Sequence, residues 1–323
     1  MNRAPWINYR PEIKVLDCTI RDGGLMNNHL FDDSVVKSVY QACVAAGIDY
    51  MEFGYKGDKK IFAPNKYGSW KFCTEDDIRR IVGENKTPLK ISIMADAEKT
   101  NYHEDILPRE QSVIDLIRVA TYIHQIPLAV DMIKDAHNKG YETTVNLMAA
   151  SLVHENELEE ALEIFVGTPV DTIVLVDSFG TFYSEQIRNL SLRYLKAVEG
   201  TGKQVGIHTH NNQQLAYSNT IEAIIHGVNM LDATMNGIGR GAGNCPMELL
   251  LSFLRNPKFN IRPVLQCIQD YIIPLRDKIE WGYQIPYMIT AHFNQHPRAA
   301  IELRESDHRD EYVSFYDRCS GVD

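Results

Sequence analysis

The sequence holds no CxxC pair, no excess of positive charge, and no apolar run near the ~20 residues that a membrane span requires. Its six cysteines (Cys18, Cys43, Cys73, Cys245, Cys267 and Cys319) are scattered, which predicts reduced thiols rather than a disulfide frame or a structural zinc site. Basic residues number 33 against 43 acidic ones, a formal net charge of −10. That balance argues against nonspecific binding to nucleic acid or acidic membrane surfaces. Internal repeats, low-complexity tracts and long linkers are missing too. The first residues, Met1-Asn2-Arg3-Ala4-Pro5-Trp6, lack the charged-then-apolar layout of a secretory signal, so a cytoplasmic protein is expected. What is present is 44% hydrophobic and 24% charged residues over 323 positions. Such a chain can bury a full core, which excludes global disorder.

Short β-branched runs alternate with longer helical patterns. The runs are Ile13–Ile20, Ile48–Phe53, Leu89–Met94, Val113–Val119, Glu142–Met148, Asp171–Val176, Gln204–His210 and Met230–Met235. Amphipathic stretches follow most of them, as at Ser34–Ala46, Ile126–Lys139, Glu155–Phe165, Glu185–Val198 and Leu215–His226. Only a short helical hint occupies Asp96–Glu110. Gly47, Gly140 and Gly227 sit where helix C-terminal caps are expected. The pattern predicts an α/β fold, a closed (β/α)8 TIM barrel over residues 12–256. Residues 257–323 are expected to form a C-terminal helical extension, with helices at Val264–Ile279 and Pro286–Leu303 and a polar, loosely packed end at Glu305–Asp323. A two-domain doubly wound arrangement lacks its glycine fingerprint, because Gly239-Arg240-Gly241-Ala242-Gly243 lies late in the chain and out of context.

In such a barrel the chemistry sits at the carboxyl ends of the strands. Strand seven ends in His208-Thr209-His210, whose imidazoles share one face and can reach one metal ion or simply hydrogen-bond. Strand one ends in Arg21-Asp22-Gly23-Gly24. Asp22 offers a hard oxygen ligand, and Arg21 offers a fixed fork of donors for a carboxylate or a developing enolate oxygen; a purely structural ion pair is the plainer alternative. Glu52, an acid in an apolar run, is placed to orient Arg21 by a bidentate bridge. Asp177-Ser178 closes strand six, where it can hold a substrate carboxylate or satisfy loop donors. The glycine-rich turn after strand eight contains Asn244, either a ligand or, as its spacing favours, a helix N-cap.

RDGG after strand one, HTHNN on strand seven and GxGxGAGN after strand eight resemble the DRE-TIM metallolyases, the HMGL-like family, most nearly the 4-hydroxy-2-oxovalerate aldolases. The resemblance covers roughly residues 12–300. It implies a Mn²⁺ or Mg²⁺ ion held by Asp22, His208 and His210, with Asn244 in contact. It implies that Arg21 stabilises a pyruvate enolate, that Glu52 completes the family motif, and that Ser178 helps hold the pyruvate carboxylate. The stretch Gly282–Tyr287 resembles one in which a tyrosine approaches the substrate, which nominates Tyr287. One position departs from the pattern: the aldolases carry a histidine base where this chain has Leu25, which leaves His29 or a tyrosine to move the proton. Arg240 also departs, in a loop whose relatives are mostly small and neutral there.

The expected activity is therefore a divalent-metal aldolase acting on a small-molecule 2-oxo acid. A Claisen-type condensing enzyme or acyl-CoA lyase of the same superfamily is the alternative, and a noncatalytic metal-binding scaffold the second. A homodimer is implied; an aldehyde dehydrogenase partner is the weaker implication. The loop 55–71 carries Lys56, Lys59, Lys60, Lys66 and Lys71 against the single acid Asp58, interleaved with aromatics. Either it is a solvated loop, or with Arg240 it draws in an anionic substrate such as a phosphorylated or sugar-derived oxo acid.

Overall fold

In a computed structural model, which describes residues 10–321, eight parallel strands close into a barrel in simple sequence order. They are β1 (Lys14–Asp17), β2 (Tyr50–Tyr55), β3 (Lys90–Asp96), β4 (Leu116–Thr121), β5 (Glu142–Leu147), β6 (Thr172–Asp177), β7 (Gln204–Thr209) and β8 (Met230–Ala233). Closure is made by β1 pairing with β8, Leu16 opposite Asp232. Helices return the chain between strands, including Asp33–Ala46, Glu75–Val82, Ile126–Asn138, Glu155–Val166, Ser184–Val198 and Ala216–His226. Between β3 and β4 lie just a short turn of helix, Tyr102–Asp105, and a 3-10 turn, Arg109–Gln111, where the periodicity was weakest. Gly47 ends its helix at φ 73°, and a Cβ there would lie 2.5 Å from the Lys258 carbonyl oxygen. No helix of the described residues is long and apolar enough to cross a membrane.

Side chains alternate along each strand, so β4 shows what fills the barrel. Leu116 joins Leu16, Tyr50 and Met230 in an apolar layer. Two residues on, Arg118 is fully buried and bonds Glu52 Oε2 at 3.1 Å and Asp232 Oδ2 at 2.6 Å. Two further on, Ala120 packs with Tyr55 and Met94 at the mouth. The interior is thus an apolar floor, a charged middle and an open top. The main hydrophobic core lies outside the barrel wall, between strands and helices.

The expected strand Ile13–Ile20 is shorter than its apolar run. After Asp17 the chain turns at once into a short helix, Thr19–Gly23. The cause is local: the Asp17 carboxylate accepts both the backbone N–H of Thr19 at 3.1 Å and its hydroxyl at 2.7 Å. The second extra helix is also split, into Ile285–His292 and Arg298–Glu305, around Asn294 in left-handed conformation and Pro297. The expectation of a loose polar end is corrected. Tyr312–Ser320 is a helix whose Phe315 is 1% exposed. It packs with Tyr287, Ile289, Ala300 and Leu303 against Ala242 of the turn after β8. The apolar stripe is short and diluted by charge, so composition hid it.

Replacing Arg118 with methionine leaves Asp232 buried without its guanidinium and takes one of two cations from Glu52. The variant is expected to lose about 3–5 kcal/mol of stability in urea unfolding, far more than a volume change of that size alone would cause.

Candidate active site

The short helix after β1 places Arg21 and Asp22 at the barrel mouth, both buried. Arg21 Nε donates to Glu52 Oε2 at 2.7 Å and its Nη1 to Asp22 Oδ2 at 2.5 Å. The bridge to Glu52 is a single contact, not bidentate: Nη1 of Arg21 turns to Asp22 instead, and Arg118 shares the Glu52 oxygen that Nε holds. Burial works against the charge of Arg21, but Glu52 and Asp22 outweigh it and hold the guanidinium firmly protonated. Burial likewise opposes ionisation of Asp22, and Arg21 and the two histidines overcome it, keeping the carboxyl well below its usual range.

His208 and His210 leave β7 with their rings 4.9 Å apart. Each Nδ1 meets an acceptor: Asp232 Oδ2 at 3.0 Å for His208 and the Asp177 carbonyl at 3.0 Å for His210. A proton on Nδ1 leaves the Nε2 lone pair free, and neither Nε2 makes a hydrogen bond. Those nitrogens lie 3.3 Å and 3.8 Å from the Asp22 carboxylate oxygens. Two open imidazole nitrogens thus converge on the Asp22 carboxylate, and this donor set fits a divalent cation with positions left for water or substrate. Cys18, His208 and Asp232 also cluster. There burial pushes the Cys18 thiol well up, away from the thiolate a metal needs, and the His208 nitrogen facing Asp232 is already bonded to it, so the Asp22 set is the better fit. Burial lowers the His210 pKa to about 4, keeping that imidazole neutral.

A cavity of about 60 Å³ opens beside this triad, lined by Arg21, Asp22, His208, His210, Ser178, Asn146 and Arg240 on its polar side. Leu25, Tyr55, Met94, Ala120, Met148 and Val176 form the apolar side. Ser178 Oγ accepts the backbone N–H of Ala149 at 2.8 Å. Asp177 Oδ1 accepts the N–H of Thr181 at 3.0 Å, the loop role foreseen as its plainer reading. Asn244 does not cap the next helix, which begins at Met247 with Pro246 before it. Its buried Oδ1 has no partner, and a Cβ on Gly239 would lie 2.3 Å from its Nδ2 and 3.0 Å from Asp22 Oδ1. Only glycine lets the turn lie against both.

Five nominated residues do not line this cavity; Glu52 and Asn244 stand just behind it, against Arg21 and beside Gly239, and the other three lie elsewhere. His29 is buried with its ring edge-on to Tyr55, 5.4 Å between centroids, and burial lowers its pKa to about 3. Tyr287 is buried among the C-terminal helices beside Gly241. Lys56 is buried and donates to the Cys73 carbonyl at 2.7 Å. With Lys59 and Lys60 it borders a separate surface groove that also holds Asp58, Glu75, Asp76, Glu104 and Asp105, so those cations face acids. Sequence reasoning passed over Arg118 and Asp232, although each is a charge within an apolar strand, the signal that had picked out Glu52. Tyr55 and Asn146 offered no comparable signal.

The Asp232 carboxylate orients His208, so Asp232→Asn is expected to weaken Mn²⁺ binding roughly 10–100-fold by calorimetry. Retention of full metal stoichiometry by the His208→Ala/His210→Ala double variant would exclude this donor set.

The HMGL-like family profile matches residues 116–270. An oxaloacetate decarboxylase from Mycobacterium tuberculosis is 32% identical over 246 residues, covering 75% of this chain and 69% of that protein. A 4-hydroxy-2-oxovalerate aldolase from Thermomicrobium roseum is 29% identical over 311 residues, 89% of this chain and 85% of its own length. Among solved structures, the N-terminal domain of a Bacteroides vulgatus protein superposes with a TM-score of 0.79 at 28% identity, covering 93% of this chain and all of that domain. Barrel, strand-end motifs and kinship agree, and the chain belongs to the HMGL-like family, the DRE-TIM metallolyases.

Proposed function

We propose that the protein is a divalent-metal-dependent carbon–carbon lyase that passes through a pyruvate-type enolate of a 2-oxo acid, with aldol cleavage as its leading reaction. The observation that carries this reading is one small cavity in which two free imidazole nitrogens, a carboxylate and a locked guanidinium converge. Mn²⁺ or Mg²⁺ held by Asp22, His208 and His210, with Asn244 beside them, would supply Lewis-acid polarisation of the bound oxo acid. Arg21 needs no reorganisation to meet the negative charge that develops on the enolate oxygen, because Glu52 already fixes its Nε. Asp232 holds His208 in the tautomer that leaves Nε2 open. Ser178 and Asn146 add polar atoms to the wall that receives the substrate's oxygens. Leu25, Met94 and Met148 keep water from the reacting carbons.

Leu25 supports a second reading. Retro-aldol cleavage requires a group to take the proton of the 4-hydroxyl. Leucine lines the cavity where related aldolases have a histidine, and His29 stands outside it with a weakly basic ring. Decarboxylation of a 3-carboxylated 2-oxo acid needs no such base: the bond to the carboxyl breaks, its electron pair forms the enolate, carbon dioxide leaves, and a proton is added afterwards. The decarboxylase relative is consistent with that route.

Arg21→Ala is expected to lower turnover of the folded enzyme on the order of 10²–10³-fold, measured as pyruvate release through a coupled lactate dehydrogenase assay, and also to cost stability because Asp22 and Glu52 lose a buried cation. Near-normal turnover would remove Arg21 from the mechanism. Leu25→His should raise retro-aldol activity if only the base is missing. A folded Leu25→His protein without aldolase activity, beside a wild type that releases carbon dioxide from oxaloacetate, would select decarboxylation.

A further inference from the structure

Three guanidinium groups meet at the top and middle of the barrel, and two of them are matched. Arg21 pairs with Glu52 and Asp22, and Arg118 with Glu52 and Asp232. Arg240, which lines the cavity, forms no ion pair among the described residues. Its side chain is held by uncharged acceptors: the Ser178 carbonyl at 2.5 Å from Nη2, and His296 Nε2 at 3.3 Å from Nη1. His296 has its pKa lowered to about 4 by burial, with Arg240 adding to the effect, so it contributes no negative charge and little positive. The buried Nε of Arg240 has no partner at all.

The position is built rather than incidental. The Arg240 backbone N–H donates to Asp22 Oδ1 at 2.9 Å, and Gly243 N–H closes the turn onto the Arg240 carbonyl at 3.1 Å. Met26 Sδ receives the N–H of Gly241 at 3.1 Å, and the Tyr287 ring packs where a side chain on Gly241 would lie. The C-terminal helices therefore brace the turn from behind. A half-buried guanidinium with no carboxylate in ion-pair contact is costly, whereas the same cation beside a bound carboxylate makes short, charge-assisted bonds. The loop lysines do not fill this role, since Lys56, Lys59 and Lys60 border a different groove.

We infer that Arg240 holds a second carboxylate of the substrate, so that the 2-oxo acid accepted here is a dicarboxylate. This rests on the 2-oxo acid reading above but not on which bond breaks. The small cavity sets the second carboxylate only a few bonds from the oxo group. Arg21, already committed to Glu52 and Asp22, stays with the enolate end.

The test is equilibrium binding by calorimetry to the full chain in saturating Mn²⁺, using matched pairs that differ only in a terminal carboxylate. The pairs are malate with 2-hydroxybutyrate and 2-oxoglutarate with 2-oxovalerate. Wild type is expected to prefer the diacid of at least one pair by about 10- to 100-fold, the range of a charged hydrogen-bond pair. Arg240→Gln should bring that ratio close to one while leaving the monoacid within about threefold. An equal loss of both members would assign Arg240 to the shared carboxylate and overturn the inference. So would an unchanged ratio in Arg240→Gln, or a wild type that binds neither diacid better. Should Arg240→Gln fail to fold, the wild-type ratio and its decline with rising salt still decide the matter. Failure of the enolate reading shows separately, as absent proton exchange at the pyruvate methyl group in deuterated water, and leaves the binding ratios readable.

Discussion

The buried chain of charge from Arg118 through Asp232 and Glu52 to His208, Arg21 and Asp22 is the constraint on which the rest of the barrel mouth depends. No link of it is stable alone: a carboxylate or guanidinium at this depth is costly unless its partners are in place. Each acid is shared between two cations or between a cation and an imidazole, so moving one group disturbs the geometry of several. The network therefore sets the aim of Arg21 and the tautomer of His208 together. Its members come from the short helix after β1 and from β2, β4, β7 and β8, and it ties together segments that are far apart in sequence.

The groups that end strands were legible beforehand because each breaks an apolar pattern at a place where a barrel exposes its catalytic face. Asp22, His208, His210, Arg21 and Ser178 all line the one cavity. Alternation of strands and helices made the barrel legible as well, with strand bounds shifted by one to three residues at most ends. The helical turn after Asp17 was not legible. It depends on a carboxylate choosing the backbone and hydroxyl of Thr19, a local hydrogen-bond choice that hydrophobic periodicity cannot report. Nor was the C-terminal helix around Phe315, whose burial depends on tertiary partners far along the chain.

The lysine-rich loop shows how composition misleads. Lys71 is buried, with Nζ 3.9 Å from the Phe62 ring centroid and 4.3 Å from that of Tyr55. Burial lowers its pKa to about 8. The cation and the aromatics, which the sequence offered either as a solvated loop or as a binding surface, thus satisfy one another. Tyr55 is held between Lys71 and the His29 ring while its other side faces the cavity, so the loop contributes to the site through the tyrosine it positions rather than through free charge.

The cavity itself is divided, and the division has a chemical consequence. On one side stand the open nitrogens, Asp22 and two guanidiniums; on the other stand Leu25, Tyr55, Met94, Ala120, Met148 and Val176. An apolar wall facing fixed charges removes the water that would screen them, so each oriented donor acts more strongly on a bound anion than it would in solvent. Leu25 and Arg240, the two positions at which the sequence stood apart from the aldolase resemblance, both line this cavity, Leu25 on its apolar side and Arg240 on its polar side.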